Sequence, residues 1–315
     1  DLLKNQGYYL KAIEQYKIIL KINPASIPAL INISNLYNLT SNYEEAAFFS
    51  SKIISLNSKL DKGFCNLGNA YFGMNKIEEA ISMYNQGLIH NNKSSELNHN
   101  KALSLMLLGK YDAAIKIFEN GIKKNYLDNL SLIDYGLCLF KVGKLKKSLK
   151  INKKALAIYT NNHKLLNNLG NLHSHIGEYK KANDYFKLAE NLNPKNKDVL
   201  YNIALNYYNQ NIIDKAMKYC NLAIDIDKLF FSAFNLLALC HENQNEIEKT
   251  LETFQKTIQL NPSSYVGWYN YGLFFLNYGF LNEANQFLEK SKDLGNPNQE
   301  IDHYINLSKF NNLDD

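Results

Sequence analysis

Carboxamide side chains recur in this chain at intervals of thirty-four residues, and their chemistry suits recognition of a peptide backbone. The column, called the amide ladder below, reads Asn32, Asn66, Asn100, Asp134, Asn168, Asn202, Leu236 and Asn270. An amide offers two hydrogen-bond donors and an acceptor without carrying charge. A row of amides can therefore bind the N–H and C=O groups of an extended polypeptide, each bond contributing about 0.5–1.5 kcal/mol.

Further polar side chains fall on the helix face of the amide ladder, three residues after it, or lie one residue before it. These candidate groove residues are Asn35, Asn69, Asn171, Asn167, Tyr201, Asn235 and Tyr269. Asn makes up about one residue in seven of the whole chain. The alternative interpretation of the ladder is therefore an inherited consensus residue that faces solvent and holds no ligand.

A dense run of lysines forms the second chemically distinctive feature. This lysine patch comprises Lys144, Lys146, Lys147, Lys150, Lys153 and Lys154. A solvated helix face is the ordinary interpretation of such a run, and attraction to an acidic protein, RNA or anionic lipid is the alternative. All basic residues of the chain are Lys, and Arg, the preferred residue for phosphate and guanine contacts, is absent. This composition counts against nucleic-acid recognition.

Catalytic and metal-binding patterns are not legible in the sequence. His173 and His175 are two residues apart, about 200° around a helix, so they cannot share a metal ion. His241 is not followed by a second histidine four residues later, as a zinc-protease helix requires. No nucleophile, base and acid fall into a recognisable set. We therefore predict no catalytic residues, no metal and no cofactor for this segment.

The elements that position these side chains repeat with the same period of thirty-four residues, without insertion or deletion. One column of small residues reads Ala12, Ala46, Ala80, Ala114, Ser148, Ala182, Ala216, Thr250 and Ala284, and a second reads Ser34, Gly68, Ala102, Gly136, Gly170, Ala204, Ala238 and Gly272. Self-similarity at this period is typical of a solenoid, in which each repeat buries its apolar face against its neighbours.

Within one repeat, two stripes of apolar residues at helical spacing predict two helices, a first helix and a second helix. A turn column separates them: Gly7, Ser41, Asn75, Gly109, Gly143, Gly177, Asn211, Asn245 and Gly279. Gly and Asn tolerate the left-handed conformation that ends a helix, so each position predicts a corner. Recurrent Gly inside the first helix predicts that another backbone passes close to it, with Tyr84, Phe118, Phe186 and Phe254 filling the gaps.

These residues carry a family resemblance. The run Leu166, Leu169, Gly170, His173, Gly177, Ala182, Phe186, Ala189 and Pro194 resembles the tetratricopeptide repeat, as do Trp268, Tyr271, Gly272, Phe275, Gly279 and Ala284 in the final unit. The resemblance implies an all-α, right-handed α-solenoid superhelix whose concave groove is lined by first helices. It implies a scaffold that binds a protein or peptide. The amide ladder resembles that of O-GlcNAc transferase-type arrays, where such asparagines hold a substrate polypeptide.

We predict nine repeats plus a capping helix. Residues 1–298 form the solenoid, with boundaries near residues 26, 60, 94, 128, 162, 196, 230 and 264, and residues 299–315 form the capping helix and a polar tail. Because Gly7 already occupies the turn column, the first repeat is expected to be truncated, with any missing domain upstream. The alternative to a scaffold is the substrate-recognition arm of a larger glycosyltransferase-like enzyme whose catalytic region lies outside this chain.

The remaining expectations concern location and assembly. No apolar run is long enough to cross a membrane, and no signal peptide is visible. Four cysteines without CxxC spacing predict reduced thiols in the cytoplasm or another reducing compartment. The sequence leaves the oligomeric state open.

Overall fold

The computed structural model describes residues 2–310, and every regular element in that range is an α-helix. The all-α solenoid fold is thereby confirmed for the described residues. The chain divides into two compact units, Asp1–Thr160 and Asn161–Asp315, called unit 1 and unit 2. Among the helices described, none combines the length and the apolar character that crossing a bilayer would require.

Unit 1 consists of one helix followed by four helix pairs. Even numbers denote first helices and odd numbers denote second helices. The bounds are α1 (Leu2–Ile22), α2 (Ile27–Leu39), α3 (Tyr43–Leu56), α4 (Asp61–Gly73), α5 (Ile77–His90), α6 (Ser95–Leu107), α7 (Tyr111–Lys123), α8 (Ser131–Lys141) and α9 (Leu145–Leu156).

Unit 2 consists of four helix pairs and a last helix that follows the same numbering. The bounds are α10 (His163–His175), α11 (Tyr179–Leu192), α12 (Lys197–Asn209), α13 (Ile213–Ile226), α14 (Phe231–Asn243), α15 (Ile247–Leu260), α16 (Tyr265–Asn277), α17 (Leu281–Asp293) and α18 (Ile301–Phe310). Helix α18 packs on α17 and α16 through Ile301 and Ile305, both buried.

Each unit has one face made by its first helices. In unit 1, α2 contacts α4, α4 contacts α6 and α6 contacts α8; in unit 2 the same contacts run from α10 to α18. Consecutive second helices make no comparable contact in the described part of either unit. Since first helices of neighbouring repeats lie closer together than second helices do, their common side is the inner face of each stack.

The corners between first and second helices form as the turn column predicts at eight of its nine positions. The backbone φ is +60° at Ser41 and Asn75 and +79° at Gly177, and the five other confirmed positions are Gly109, Gly143, Asn211, Asn245 and Gly279. At the corner of α10, the N–H of Glu178 donates to the C=O of His173 over 2.9 Å, as in a helix that ends with a left-handed residue.

The predicted corner at Gly7 is wrong. Helix α1 runs from Leu2 to Ile22 without a break, and Gly7 does not have a positive φ. A side-chain carbon placed on Gly7 would meet nothing within 4 Å. A corner forms where two helices pack against each other. Nothing among the described residues packs against Gly7, so the helix continues through it.

The glycines inside first helices make room for a side chain rather than for a backbone, which corrects the sequence-based expectation. A Cβ on Gly68 would lie 2.4 Å from the ring of Tyr84, and a Cβ on Gly170 would lie 2.5 Å from the ring of Phe186. Only at Gly272 does a backbone atom, 3.1 Å away, stand among the nearest neighbours. The second-helix side chain therefore packs directly on the first-helix backbone.

Candidate functional site

The amide ladder lies on the first helices and differs in exposure from one repeat to the next. Asn32 and its neighbour Asn35 are exposed, whereas Asn66 is 3 % exposed. The other polar members are half-buried: Asn100, Asp134, Asn168, Asn202 and Asn270. The eighth position, Leu236, is buried in the apolar core of unit 2. The ladder is therefore a series of partly accessible amides and not a uniform row.

Two ladder amides of unit 2, Asn202 and Asn270, bond to the preceding repeat. Nδ2 of Asn202 donates to Oδ1 of Asn167 over 3.0 Å, and Nδ2 of Asn270 donates to Oδ1 of Asn235 over 3.2 Å. Both pairs are thirty-five residues apart, one repeat plus one residue. The residue before a ladder position thus holds the ladder amide of the next repeat, and each bond joins two successive first helices.

In unit 1, contacts between residues thirty-five apart also join successive first helices, but through different atoms. Asn66 donates to the backbone C=O of Ile31 over 3.2 Å and to Oγ of Ser34 over 2.7 Å. His99 and Asp134 approach within 3.7 Å through Nε2 and Oδ2. Because Asn66 is buried and both its amide hydrogens are used, it stabilises the contact between α2 and α4 and is not accessible to a partner.

Asn69 and Asn100 form a second polar contact on the inner face of unit 1. Nδ2 of Asn100 donates to Oδ1 of Asn69 over 2.8 Å, and the hydroxyl of Tyr84 donates to the same oxygen over 2.9 Å. Asn100 also approaches Sγ of Cys65, 4.0 Å away. Asn69, Tyr84 and Asn100 border a small hollow of about 110 Å³ that is also lined by Phe72 and Leu103.

The cross-repeat bonds leave the acceptors of two ladder amides, Asn202 and Asn270, uncommitted. No described residue donates to Oδ1 of Asn202 or of Asn270. Each Nδ2 carries two hydrogens, of which the cross-repeat bond uses one. Each of these amides can therefore accept one hydrogen bond and donate another, the pair of groups that a peptide unit requires.

The predicted tyrosines contribute packing as well as polar atoms. Tyr201 stands edge-on to Phe230 with ring centroids 5.6 Å apart, and burial raises the pKa of its hydroxyl. The hydroxyl of Tyr269 accepts a bond of 2.6 Å from Nδ2 of Asn298, in the segment leading to α18. Asn171 and Asn168 are half-buried on α10. The tyrosines thus contact neighbouring segments, Phe230 for Tyr201 and Asn298 for Tyr269.

A larger hollow on the inner face of unit 2 measures about 390 Å³. It is lined by Tyr208, Leu239, Glu242, Asn243, Asn270, Leu273 and Asn277, from α12, α14 and α16. Sequence reasoning singled out only Asn270 among these residues. The signal it missed is the columns that follow the ladder by six and seven residues, which hold Tyr208, Glu242, Asn243 and Asn277. A hollow of about 600 Å³ between α11 and α13 contains no predicted site residue.

The six residues of the lysine patch are all exposed on unit 1, on α9 and the residue before it. Lys144 lies 3.4 Å from Asp112, and Lys147 forms an ion pair with Glu119, so two of the six are paired with α7. No carboxylate of the described residues lies within salt-bridge distance of the other four lysines, Lys146, Lys150, Lys153 and Lys154. The patch therefore presents four lysines without an acidic partner among the described residues.

The histidines noted in the sequence serve the helix corners. Nδ1 of His173 lies 2.6 Å from Glu178, and His241 makes the same contact with Glu246 two repeats later. Each glutamate also pairs with the lysine three residues later. The lysine and the histidine together hold the pKa of the glutamate below its ordinary value. Among the described residues, no group of three or more His, Cys, Asp or Glu is arranged to hold a metal ion.

All four cysteines are buried and free. Burial raises the pKa of Cys138 to about 12, so this thiol stays protonated at neutral pH. Burial raises the pKa of Cys65 as well. These thiols are core residues and not nucleophiles.

Models of the tetratricopeptide repeat match residues 62–88, 99–163, 163–196, 198–228 and 234–264, which together make up more than half of the chain. A sequence comparison with curated proteins yields no match. The family matches fall in both units and coincide with helix pairs of the structure.

Solved structures share the fold at low sequence identity. A chain of the APC/C hetero-tetramer Cut9–Hcn1 matches with a TM-score of 0.68 and 16 % identity, over 82 % of this chain and 51 % of that one. The human IFIT1 dimer with m7Gppp-AAAA matches with a TM-score of 0.71 and 17 % identity, over 96 % of this chain and 77 % of that one. The chain thus spans about half the length of the matched Cut9–Hcn1 chain.

Proposed function

The chain belongs to the tetratricopeptide-repeat family, and on this premise we propose that it is a protein-interaction scaffold whose inner face binds an extended polypeptide. The observation that carries the proposal is the pair of uncommitted groups on Asn202 and Asn270, one acceptor and one donor on each. The first helices α12 and α16, which belong to repeats two apart, present these groups on the inner face, where a peptide backbone can align with them. Because the amides bind the N–H and C=O groups of the backbone, other residues must select the side chains of the partner.

A binding measurement tests the proposal. The probe is a pool of peptides of about twelve residues, randomised over uncharged residues and labelled with a neutral fluorophore. Asn202→Ala combined with Asn270→Ala removes the two amides, and we expect at least about tenfold weaker binding, since two to four bonds of about 1 kcal/mol are lost. Fluorescence anisotropy reports the affinity.

The matched control is Asn191→Ala combined with Asn221→Ala. Both residues are exposed asparagines of unit 2 that lie on second helices, α11 and α13. The control variant should bind the pool as the unaltered chain does. If the inner-face variant also binds unchanged, the scaffold does not hold peptides through the amide ladder.

The finer proposal is that the scaffold is the substrate-recognition arm of an enzyme similar to O-GlcNAc transferase. Its support is the resemblance of the amide ladder, and its test is the full open reading frame. A glycosyltransferase domain encoded beside this chain would favour it, and an open reading frame without one would exclude it. A reducing compartment such as the cytoplasm is likewise proposed, because the four thiols are buried and free.

A second candidate function rests on the lysine patch, whose four unpaired lysines favour a polyanionic partner. The fold relative IFIT1 is seen with m7Gppp-AAAA and PPP-AAAA, and an RNA probe is therefore included. Binding of an adenosine oligonucleotide should weaken steeply with salt and be abolished by Lys146→Glu with Lys150→Glu. Binding that ignores both salt and these substitutions would exclude the patch as the site.

A further inference from the structure

The hollow of about 390 Å³ on the inner face of unit 2 is lined by one carboxylate, that of Glu242, and by no other Asp, Glu or Lys. Helices α12, α14 and α16 carry three Asp, Glu or Lys residues between them. Lys197 and Asp198 lie in the first turn of α12, and Lys197 is paired with Asp227. The third is Glu242, near the end of α14, which lines the hollow of about 390 Å³.

Glu242 has one weak hydrogen-bond partner and no cation. Nδ2 of Asn277 donates to its Oε1 over 3.4 Å, and no lysine or histidine among the described residues lies within ion-pair distance of it. The neighbouring corner differs, since Glu246 is paired with both His241 and Lys249. Glu242 is half-buried, and burial raises its pKa. Partial burial without a cation disfavours the charged form of this carboxylate.

The rest of the hollow suits a long cationic side chain. Leu239 and Leu273 provide apolar surface, which accommodates the methylene stem of a lysine or arginine. Tyr208 provides an aromatic ring, and rings attract cations that approach their faces. Asn270, the ladder amide, lines the same hollow. A backbone held by Asn270 would therefore present an adjacent side chain to Glu242.

We propose that Glu242 is the specificity-determining residue of the groove and that its hollow binds a lysine or arginine side chain of the bound polypeptide. The inference rests on the proposed function, because it assigns a side-chain preference to the same inner face. The amide ladder supplies backbone affinity, and Glu242 selects segments that carry a cation at one position.

The experiment compares two peptide pools that differ at one central position, lysine in one and norleucine in the other, with the flanking positions randomised over uncharged residues. Norleucine keeps the apolar stem and removes the charge. We expect the lysine pool to bind about tenfold more tightly at low salt, because a charge-assisted hydrogen bond is stronger than an apolar contact alone. Glu242→Gln should abolish this preference.

Glu248→Gln is the matched control, since Glu248 is an exposed glutamate on α15 and its removal changes the net charge equally. This variant should keep the preference for lysine. If both pools bind equally well and Asn202→Ala with Asn270→Ala weakens both, the inference fails and the proposed function stands. If neither pool binds, both fall. A preference for lysine that survives Glu242→Gln overturns the inference alone.

Discussion

Asn202 donates through Nδ2 to Oδ1 of Asn167, 3.0 Å away and thirty-five residues earlier in the chain. The bond joins α12 to α10, the first helices of two successive repeats. Asn270 and Asn235 repeat the arrangement between α16 and α14. The amide ladder therefore has a structural role, the alignment of first helices, in addition to the binding role that we propose.

The two roles of the ladder can be separated by substituting each end of the same bond. Asn167→Ala and Asn202→Ala both break it, so we expect each to lower the free energy of unfolding by about 0.5–1.5 kcal/mol. Only Asn202→Ala removes the uncommitted acceptor, so only this variant should also weaken peptide binding. Urea denaturation and anisotropy on the same samples measure the two effects. Equal losses of binding would mean that the ladder acts only by aligning the helices.

The contact between Gly68 and Tyr84 is less adaptable than the corresponding contact between Gly170 and Phe186. A Cβ built on either glycine would lie within 2.5 Å of the ring that faces it. The hydroxyl of Tyr84 is bonded to Asn69, which restrains the ring, whereas Phe186 has no hydroxyl and its ring is held by packing alone. Ala102 and Phe118 occupy the same two positions in one core cluster, so an alanine is tolerated where the ring is free.

We therefore expect Gly68→Ala to cost about 1–3 kcal/mol through overpacking. Both variants gain roughly 1 kcal/mol in helix propensity. Gly170→Ala should cost less, because no hydroxyl bond restrains the ring of Phe186 against a small shift. Thermal unfolding monitored by circular dichroism compares the two variants. Gly68→Ala combined with Tyr84→Phe should recover part of the loss. Equal costs for the two alanine variants would show that the hydroxyl bond does not restrain the ring.

Asn152 is a polar residue at a position that other repeats fill with Phe186 or Leu288. It is 1 % exposed; its Nδ2 donates to Ser148, and its Oδ1 has no hydrogen-bond partner. Leucine at this position would remove a buried acceptor that costs about 1–3 kcal/mol. We expect Asn152→Leu to raise the melting temperature, and Asn152→Asp, which buries a charge, to lower it. A lower melting temperature for Asn152→Leu would mean that the space beside Gly136 is too small for the side chain.

The sequence predicted the features that depend on position within one repeat. Eight corners follow from residues that tolerate a positive φ, because that property is local to Gly177 or Asn211. The corner at Gly7 failed because a corner also needs packing partners. The bond from Asn202 to Asn167 was not predicted, since it depends on how far one repeat rotates against the next. A search for paired asparagines at one repeat plus one residue could have found it.

Glu242 and Glu246 lie four residues apart and should respond to pH in opposite directions. Burial raises the pKa of Glu242 above its ordinary value in the folded state. Between the unfolded and the folded pKa the folded state then binds more protons, so stability falls as pH rises through this range. At neutral pH the charged carboxylate destabilises the fold. Glu242→Gln, which keeps an acceptor for Asn277, should therefore raise the melting temperature.

Lys249 and then His241 lower the pKa of Glu246, so its contribution has the opposite sign. Its stabilising effect is present above the unfolded pKa and is lost as pH falls through the lowered folded pKa. Glu246→Gln should therefore lower the melting temperature at neutral pH. Calorimetry of both variants from neutral to acidic pH measures the differences, which should both shrink towards zero below the ordinary glutamate pKa. A lower melting temperature for Glu242→Gln at neutral pH would mean that a contact within the fold stabilises the carboxylate of Glu242. The argument that this carboxylate lacks a cation and binds one from the partner would then fail.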